Sequence, residues 1–171
     1  MKSLVLIGRI LFSLIFLNTV LAHFSSAGIG YAASAGVPLP SLLVPLSGII
    51  AILGGLSIAL GYKAKAGAWL IVIFLIPVTL MMHNFWAIQD AAAAQTEMIN
   101  FTKNLSLLGG AFLITYFGSG PLSLDNKVNE TAELSKEART RITPKISRER
   151  YKETERTQNL RNKEKAQQEK K

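Results

Sequence analysis

Residues 41–61 read SLLVPLSGIIAILGGLSIALG and residues 66–82 read AGAWLIVIFLIPVTLMM, and neither stretch contains a charged side chain. A helix needs roughly 20 mostly apolar residues to cross the hydrocarbon core of a bilayer. Inside lipid every backbone polar group must be satisfied within the structure, so both stretches are expected to be helices. Only residues 62–65, with Lys63 and Lys65, separate them. The sequence therefore predicts two antiparallel transmembrane helices joined by a short basic turn.

Two further stretches extend this pattern to four spans. Residues 3–24 are apolar and are interrupted chiefly by Arg9, Asn18 and His23, while residues 99–117 carry most of their polar side chains in their first half. Length, number and lack of charge favour spanning helices over buried soluble ones. The predicted fold class is all-α: a four-helix transmembrane bundle.

The start of the chain also has features of a secretory signal peptide. Lys2 precedes an apolar run, and Val20-Leu21-Ala22 resembles a cleavage site flanked by small residues. Arg9 lies inside the would-be hydrophobic region, and three further apolar stretches follow. These two features favour an uncleaved first helix.

Charge is distributed unevenly along the chain. The 171 residues are 49% hydrophobic, yet the formal net charge is +8. Residues 1–124 contain five Lys and Arg and two acidic residues, whereas residues 125–171 contain fourteen and nine. A soluble domain would spread its charges over its surface, so we predict a transmembrane domain over residues 1–125 and a charged tail over residues 126–171. The lack of cysteine excludes a disulfide framework and thiolate-ligated metals or clusters from this chain.

The basic residues set the expected orientation, because short cytoplasmic loops are enriched in Lys and Arg. Lys2, the turn with Lys63 and Lys65, and the basic tail fall on one side of a four-span chain. Residues 24–40 and 83–98 form the predicted outer loops on the other side, and within the second loop residues 90–97 could form a short surface helix. We therefore expect a multi-pass protein of a bacterial inner membrane with both termini in the cytoplasm. The net charge of +8 then reflects the orientation of the chain in the membrane, and no nucleic-acid partner is expected.

Polar residues near the outer ends of the spans form the candidate binding site. Ionisable groups at membrane depth are costly and usually face a bundle interior or a water-filled cavity. His23, His83, Lys103 and Asn104 would converge in one shallow layer beside Trp86. His83 and Lys103 would donate hydrogen bonds, Asn104 would orient the ligand and Trp86 would pack on it. Such a layer would suit a quinone head group or another small polar or anionic molecule. Alternatively, these side chains simply meet water at the interface and satisfy one another.

The spans contain little other chemistry. They show no carboxylate pair, nucleophile–base pair, phosphate loop or metal-ligand spacing, so no metal is expected and catalytic residues stay unassigned. Arg9 either snorkels to the headgroups, forms a structural pair, or marks a second polar site at the cytoplasmic end. It lies about 20 Å from His23 along the helix, too far for one small ligand to reach both.

A series of short motifs follows in order along residues 4–125: Arg9, GVPLP at 36–40, LGG at 53–55, GYK at 61–63, HNFW at 83–86, KNL at 103–105, GG at 109–110 and GSGPLSLD at 118–125. This series resembles the DoxX family of small four-helix membrane proteins. The resemblance implies a membrane subunit of a quinone-linked oxidoreductase or of a redox-stress system, with oxidoreductase partner subunits. The cofactor stays unassigned, with quinone as the candidate. Ile52 and Asn84 stand where that family often has acidic residues, which weakens a proton-coupled reaction for this chain.

The tail suggests functions of a different class. Residues 126–171 contain few apolar side chains, and Thr143-Pro144 is expected to interrupt a long helix. The tail is therefore predicted to be largely disordered or partly helical, with a net positive charge that favours anionic lipid. The alternative functions are a non-enzymatic membrane adaptor whose tail recruits a partner, and a small-solute carrier.

Overall fold

The computed structural model describes the backbone of residues 2–168 and the side chains of residues 2–162. Within this part of the chain all regular structure is helical, which confirms the all-α prediction. A 3-10 turn covers Phe85–Ala87. The α-helices are α1 (Lys2–Asn18), α2 (Val20–His23), α3 (Ser26–Ser34), α4 (Pro40–Leu60), α5 (Ala64–Met82), α6 (Ala91–Phe117) and α7 (Leu124–Gln168).

Three helical segments are long and apolar enough to cross a membrane: Lys2–His23, Pro40–Leu60 and Ala64–Ala87. The first of them combines α1 and α2, which meet at a turn around Thr19. The prediction of four spans is not confirmed, because α6 is not among these segments. With 27 residues α6 is long enough, but the polar side chains of its first half lower its mean hydropathy.

Helix α5 lies between α4 and α6, and α1 packs on α4. Small residues let α4 and α5 approach closely: a Cβ on Gly54 would lie 2.9 Å from the Gly67 carbonyl oxygen and 2.8 Å from Ile71 Cδ1. Close packing of this kind matters in lipid, which offers no hydrophobic drive for helix association. The ring of Phe16 on α1 meets the edge of Phe74 on α5, with centroids 6.1 Å apart.

The two segments predicted as outer loops contain more helix than expected. Residues 26–34 form α3, whose first turn is capped by the Ser25 hydroxyl accepting from the Gly28 N–H at 3.0 Å. The expected surface helix over residues 90–97 and the expected span over 99–117 form one helix, α6. Asp90 caps it by accepting from the Ala93 N–H at 2.7 Å, and no Gly or Pro separates the two parts.

Residues 1–127 and residues 128–171 are two separate compact units. The expected interruption at Thr143-Pro144 is wrong, because α7 continues through Pro144. Proline leaves the carbonyl four residues earlier without its N–H donor, and on a helix this exposed water can donate to that carbonyl instead. Residues 169–171 of the predicted tail lie outside the described residues.

Candidate functional site

A cavity of about 460 Å³ lies among α2, α3, α4 and α5. Its volume is within the roughly 300–1,000 Å³ of typical small-molecule sites. Most of the lining is aliphatic or aromatic, and its polar side chains are His23, Tyr31, Ser47 and His83. No Lys, Arg, Asp or Glu side chain lines it among the described residues. This composition suits a mainly apolar ligand with one polar group.

Glu97 on α6 holds a polar network at the end of the unit where α5 ends. Its Oε2 accepts from His83 Nδ1 at 2.6 Å and from Asn100 Nδ2 at 3.3 Å, and its Oε1 accepts from the Tyr31 hydroxyl at 3.0 Å. The Lys103 ammonium donates to Asn100 Oδ1 at 3.0 Å. Residues 97, 100 and 103 are neighbours on one face of α6 because they are three residues apart. The network therefore links α3, the end of α5 and α6.

The same contacts shift the ionisation of two of these groups. Partial burial acts to raise the pKa of Glu97, but the hydrogen bonds from His83, Tyr31 and Asn100 outweigh it, so this pKa lies below its ordinary value. Burial, the hydrogen bond to Glu97 and the Glu97 charge raise the pKa of Tyr31. Glu97 is therefore an ionised acceptor at neutral pH, and Tyr31 is a neutral donor.

The hydrogen-bond partners of the two histidines fix which ring nitrogen carries the proton in the neutral form. His83 Nδ1 faces the Glu97 carboxylate, and His23 Nδ1 lies 2.9 Å from the Thr19 carbonyl oxygen, so each Nδ1 donates. Each Nε2 is then an acceptor, and neither has a hydrogen-bond partner among the described residues. The His23 ring packs on Phe74 at 5.7 Å between centroids.

The structure brings together only part of the predicted polar layer. His23 and His83 both line the cavity. Lys103 does not line it but donates to Asn100, which in turn donates to Glu97. Trp86 is 60% exposed and stacks edge-on with Phe85 and Phe101, as an interfacial aromatic belt would. Asn104 is buried but does not line the cavity.

Sequence reasoning missed Glu97 and Tyr31 as members of this site. Glu97 is one of only two acidic residues in the first 124 positions, and it lies three residues before Asn100 on the same helix. That helical spacing was the available signal. Tyr31 gave none, because its segment was predicted to be a loop.

Arg9 lies at the opposite end of the unit and is buried. Its guanidinium donates to the carbonyl oxygen of Ser119, and Nη2 donates to that of Leu122 at 2.7 Å. These contacts hold the Arg9 side chain inside the unit rather than at its surface. Its role as a second polar site stays a prediction. The arginine ties α1 to the segment that follows α6.

Asp125 completes the Arg9 end. Its carboxylate accepts from the backbone N–H groups of Lys63, at 2.8 Å, and Ala64, at 3.3 Å, and its own N–H donates to the Gly61 carbonyl at 2.9 Å. The carboxylate thus caps the first turn of α5, where two N–H groups lack partners within the helix. These bonds join the segment after α6 to the turn between α4 and α5.

The fold and these two sites define an α-helical integral membrane protein. The SURF4 family profile matches residues 1–130, and the chain belongs to that family. Inner membrane protein YphA of Escherichia coli is 30% identical over 126 residues, which are 72% of this chain and 89% of YphA. Inner membrane protein YqjF of the same organism is 25% identical over 130 residues, 74% of this chain and 92% of YqjF.

A eukaryotic relative matches over a shorter stretch. The ER-derived vesicles protein ERV29 of Saccharomyces cerevisiae is 30% identical over 79 residues, which are 46% of this chain and only a quarter of ERV29. No solved structure matches the chain.

These relatives correct the expected family and function. The assignment to the DoxX family is wrong, because the profile that matches is that of SURF4. The quinone-linked oxidoreductase and its partner subunits followed from that resemblance, and the relatives give no sign of either. The motifs misled for a physical reason: close-packing glycines, a basic turn and an aromatic belt are general needs of membrane helices.

Proposed function

We propose that this chain is a non-enzymatic adaptor of the inner membrane whose helix α7 binds a protein partner in the cytoplasm. The observation that carries the proposal is the exposure of α7. Every side chain described from residue 126 to residue 162 is exposed to solvent. Helices that bury nothing are marginal in water, so a surface this long is best explained by a partner.

Helix α7 carries an apolar stripe that suits such a partner. Leu134, Ala138, Ile142 and Ile146 are spaced four residues apart, so they follow one another along one side of the helix. The three larger side chains are 62%, 53% and 49% exposed. Apolar anchors at helical spacing are the feature that a groove-bearing partner recognises. Charged side chains flank the stripe, as in the Arg141–Glu137 ion pair at 2.7 Å.

The proposal includes α6 as a fourth span over residues 99–117, with both termini in the cytoplasm. At roughly 1.5 Å per residue, residues 99–117 of α6 extend over nearly the whole hydrocarbon thickness of about 30 Å. Helix α6 packs along α5 and buries Asn104 and Ala111. Trp69 on α5 meets the Phe112 ring edge-on at 6.4 Å. Lys2, Lys63, Lys65 and the basic tail then lie on the cytoplasmic side, and Lys103 at the outer end of α6 is the exception.

The relatives support an inner-membrane location and a role other than catalysis. Two of them are named inner membrane proteins, and the yeast relative is named for vesicles rather than for a reaction. The contact of the tail with anionic lipid stays a prediction that the same experiment can test.

The test places a photoreactive amino acid at Ile142 in the full chain and irradiates intact cells that express it. We expect one discrete protein adduct. A second version carries the photoreactive amino acid at Leu134, and we expect I142E together with I146E to abolish its adduct. The matched control is T140E with S147E, which adds the same charge on the opposite side of α7 and should leave the adduct intact. Adducts with lipid alone, or equal loss in both double variants, would contradict the proposal.

A further inference from the structure

The cavity among α2–α5 plays no part in the proposed binding of a partner by α7. We propose that this cavity binds a neutral lipid with an apolar body and a hydroxyl head, taken up from the surrounding bilayer. The inference stands on the chemistry of the lining, on the hydrogen-bond partners of the two histidines and on the volume of about 460 Å³.

The polar side chains of the cavity can pair with a ligand that donates a hydrogen bond, because their own donors are already used. His23 and His83 each use Nδ1 as a donor to an oxygen of this chain, which leaves Nε2 of each neutral ring as an acceptor. Ser47 is occupied, since its hydroxyl donates to the Val44 carbonyl at 2.7 Å. The Tyr31 hydroxyl is occupied by Glu97. A ligand hydroxyl donates to an imidazole Nε2 without any change in this network.

The charge of the surroundings selects against ionised heads. A carboxylate or phosphate head brings no proton for Nε2 and approaches the negative charge of Glu97. An ammonium head needs a carboxylate within reach, but no carboxylate lines the described cavity, and Glu97 outside it already accepts from His83, Tyr31 and Asn100. With no charged side chain on the described lining, desolvating an ion there is uncompensated. A hydroxyl carries no such cost.

The rest of the lining fits a hydrocarbon body. Ile50 on α4 and Ile73, Phe74, Met81 and Met82 on α5 are among the lining side chains. Methionine is unbranched and adapts its shape to irregular ligands. The helices that form these walls also expose large apolar side chains elsewhere, as lipid-facing helices do. The bilayer is therefore the natural source of the ligand.

The experiment uses the full chain in nanodiscs of zwitterionic lipid and three photoreactive probes of equal chain length: a fatty alcohol, a fatty acid and an alkane, each with a diazirine. After irradiation, mass spectrometry maps the labelled residues. We expect the alcohol to label cavity-lining residues of α4 and α5, and excess 1-dodecanol to suppress this labelling. The acid and the alkane should label the cavity at least fivefold less.

Two substitutions connect the labelling to the cavity. I50W fills the space and should reduce alcohol labelling at least fivefold, whereas L53W, on the exposed side of the same helix, should leave it unchanged. H23L removes one acceptor without touching Glu97. It should weaken competition by 1-dodecanol about two- to tenfold, as expected for one hydrogen bond, and leave alkane labelling unchanged.

Several outcomes would overturn the proposal. They are equal cavity labelling by alcohol and alkane, preference for the acid, and labelling that I50W does not reduce. None of these results depends on α7, so failure here leaves the adaptor proposal standing, and loss of the α7 partner leaves the lipid proposal standing.

Discussion

The two ends of the membrane unit solve the problem of polar groups at membrane depth in opposite ways. At the Arg9 end the guanidinium is buried, and backbone carbonyls of Ser119 and Leu122 accept from it. At the His83 end a network around Glu97 borders a cavity of about 460 Å³. The first end is packed solid, whereas the second combines hydrogen-bonding capacity with space.

This difference suggests a structural role for the Arg9 end and a binding role for the His83 end. Both terminal nitrogens of Arg9 donate to backbone carbonyls of the same chain, and Arg9 does not line the cavity, so its contacts position helices. His23 and His83 line a cavity, each is held through Nδ1, and Nε2 of each neutral ring can still accept a hydrogen bond from a ligand. The contrast predicts that substitutions at the Arg9 end affect folding, and that those at the His83 end affect pH response and binding.

The largest expected effect is that of R9M. It leaves the carbonyls of Ser119 and Leu122 without their donor, and charge-assisted hydrogen bonds are worth about 1.5–3 kcal/mol each. We expect the free energy of unfolding to fall by about 3 kcal/mol or more, measured by denaturant titration in detergent. K65M removes the same charge from an exposed side chain at the same end and should change little. Equal loss in both variants would mean that charge, not the buried contact, matters.

Next comes G61A. Gly61 has φ +64, which strains any other residue, and its added Cβ would lie 2.6 Å from Arg9 Nη1. The expected cost is about 2 kcal/mol. In G30A the added Cβ meets nothing within 4 Å in α3, so that variant should be neutral or stabilising by up to about 1 kcal/mol. A neutral G61A would break the view of this end as tightly packed.

The third prediction concerns pH and Glu97. The folded-state pKa of Glu97 lies below its ordinary value, so its ionised form contributes stability that is present above that value and is lost as pH falls through the folded-state pKa. The apparent Tm in detergent should therefore drop as the medium is acidified below the ordinary range of a glutamate. E97Q should show a lower Tm at neutral pH and a smaller fall of Tm on acidification (the acid limb of the profile). An unchanged acid limb would place the pH sensitivity elsewhere.

The smallest effect is expected for Y31F, which removes one exposed hydroxyl bond to Glu97. The cost should be about 0.5–1 kcal/mol at neutral pH. The Tyr31 pKa is raised, so the contribution of this bond is present below the ordinary tyrosine value and is lost as pH rises through the folded-state pKa. Y62F alters an exposed tyrosine near the Arg9 end and serves as the control. A difference between the two that persists at high pH would argue against the bond.

Several features of the fold could be predicted because they depend on local composition. The apolar runs at 41–61 and 66–82 correspond to α4 and α5 within a few residues. His23 and His83 were expected at the same end because each lies at the predicted outer end of its span, and both line the cavity. Helix α3 was missed since residues 26–34 are small and polar-capped rather than periodic, and α7 was underestimated since Pro144 weakens a helix without ending one that water surrounds.

By itself the sequence determined that this protein is helical, that its apolar part belongs in a membrane, and that its charge accumulates in the tail. These properties follow from transfer free energies and backbone hydrogen bonding, which act on each segment separately. Only the tertiary structure decided which polar groups meet: Arg9 with the carbonyls after α6, and His83 with Glu97 and Tyr31. Those pairings depend on how helices far apart in the chain pack against one another, because a buried donor is satisfied by whichever acceptor the packing brings within about 3 Å.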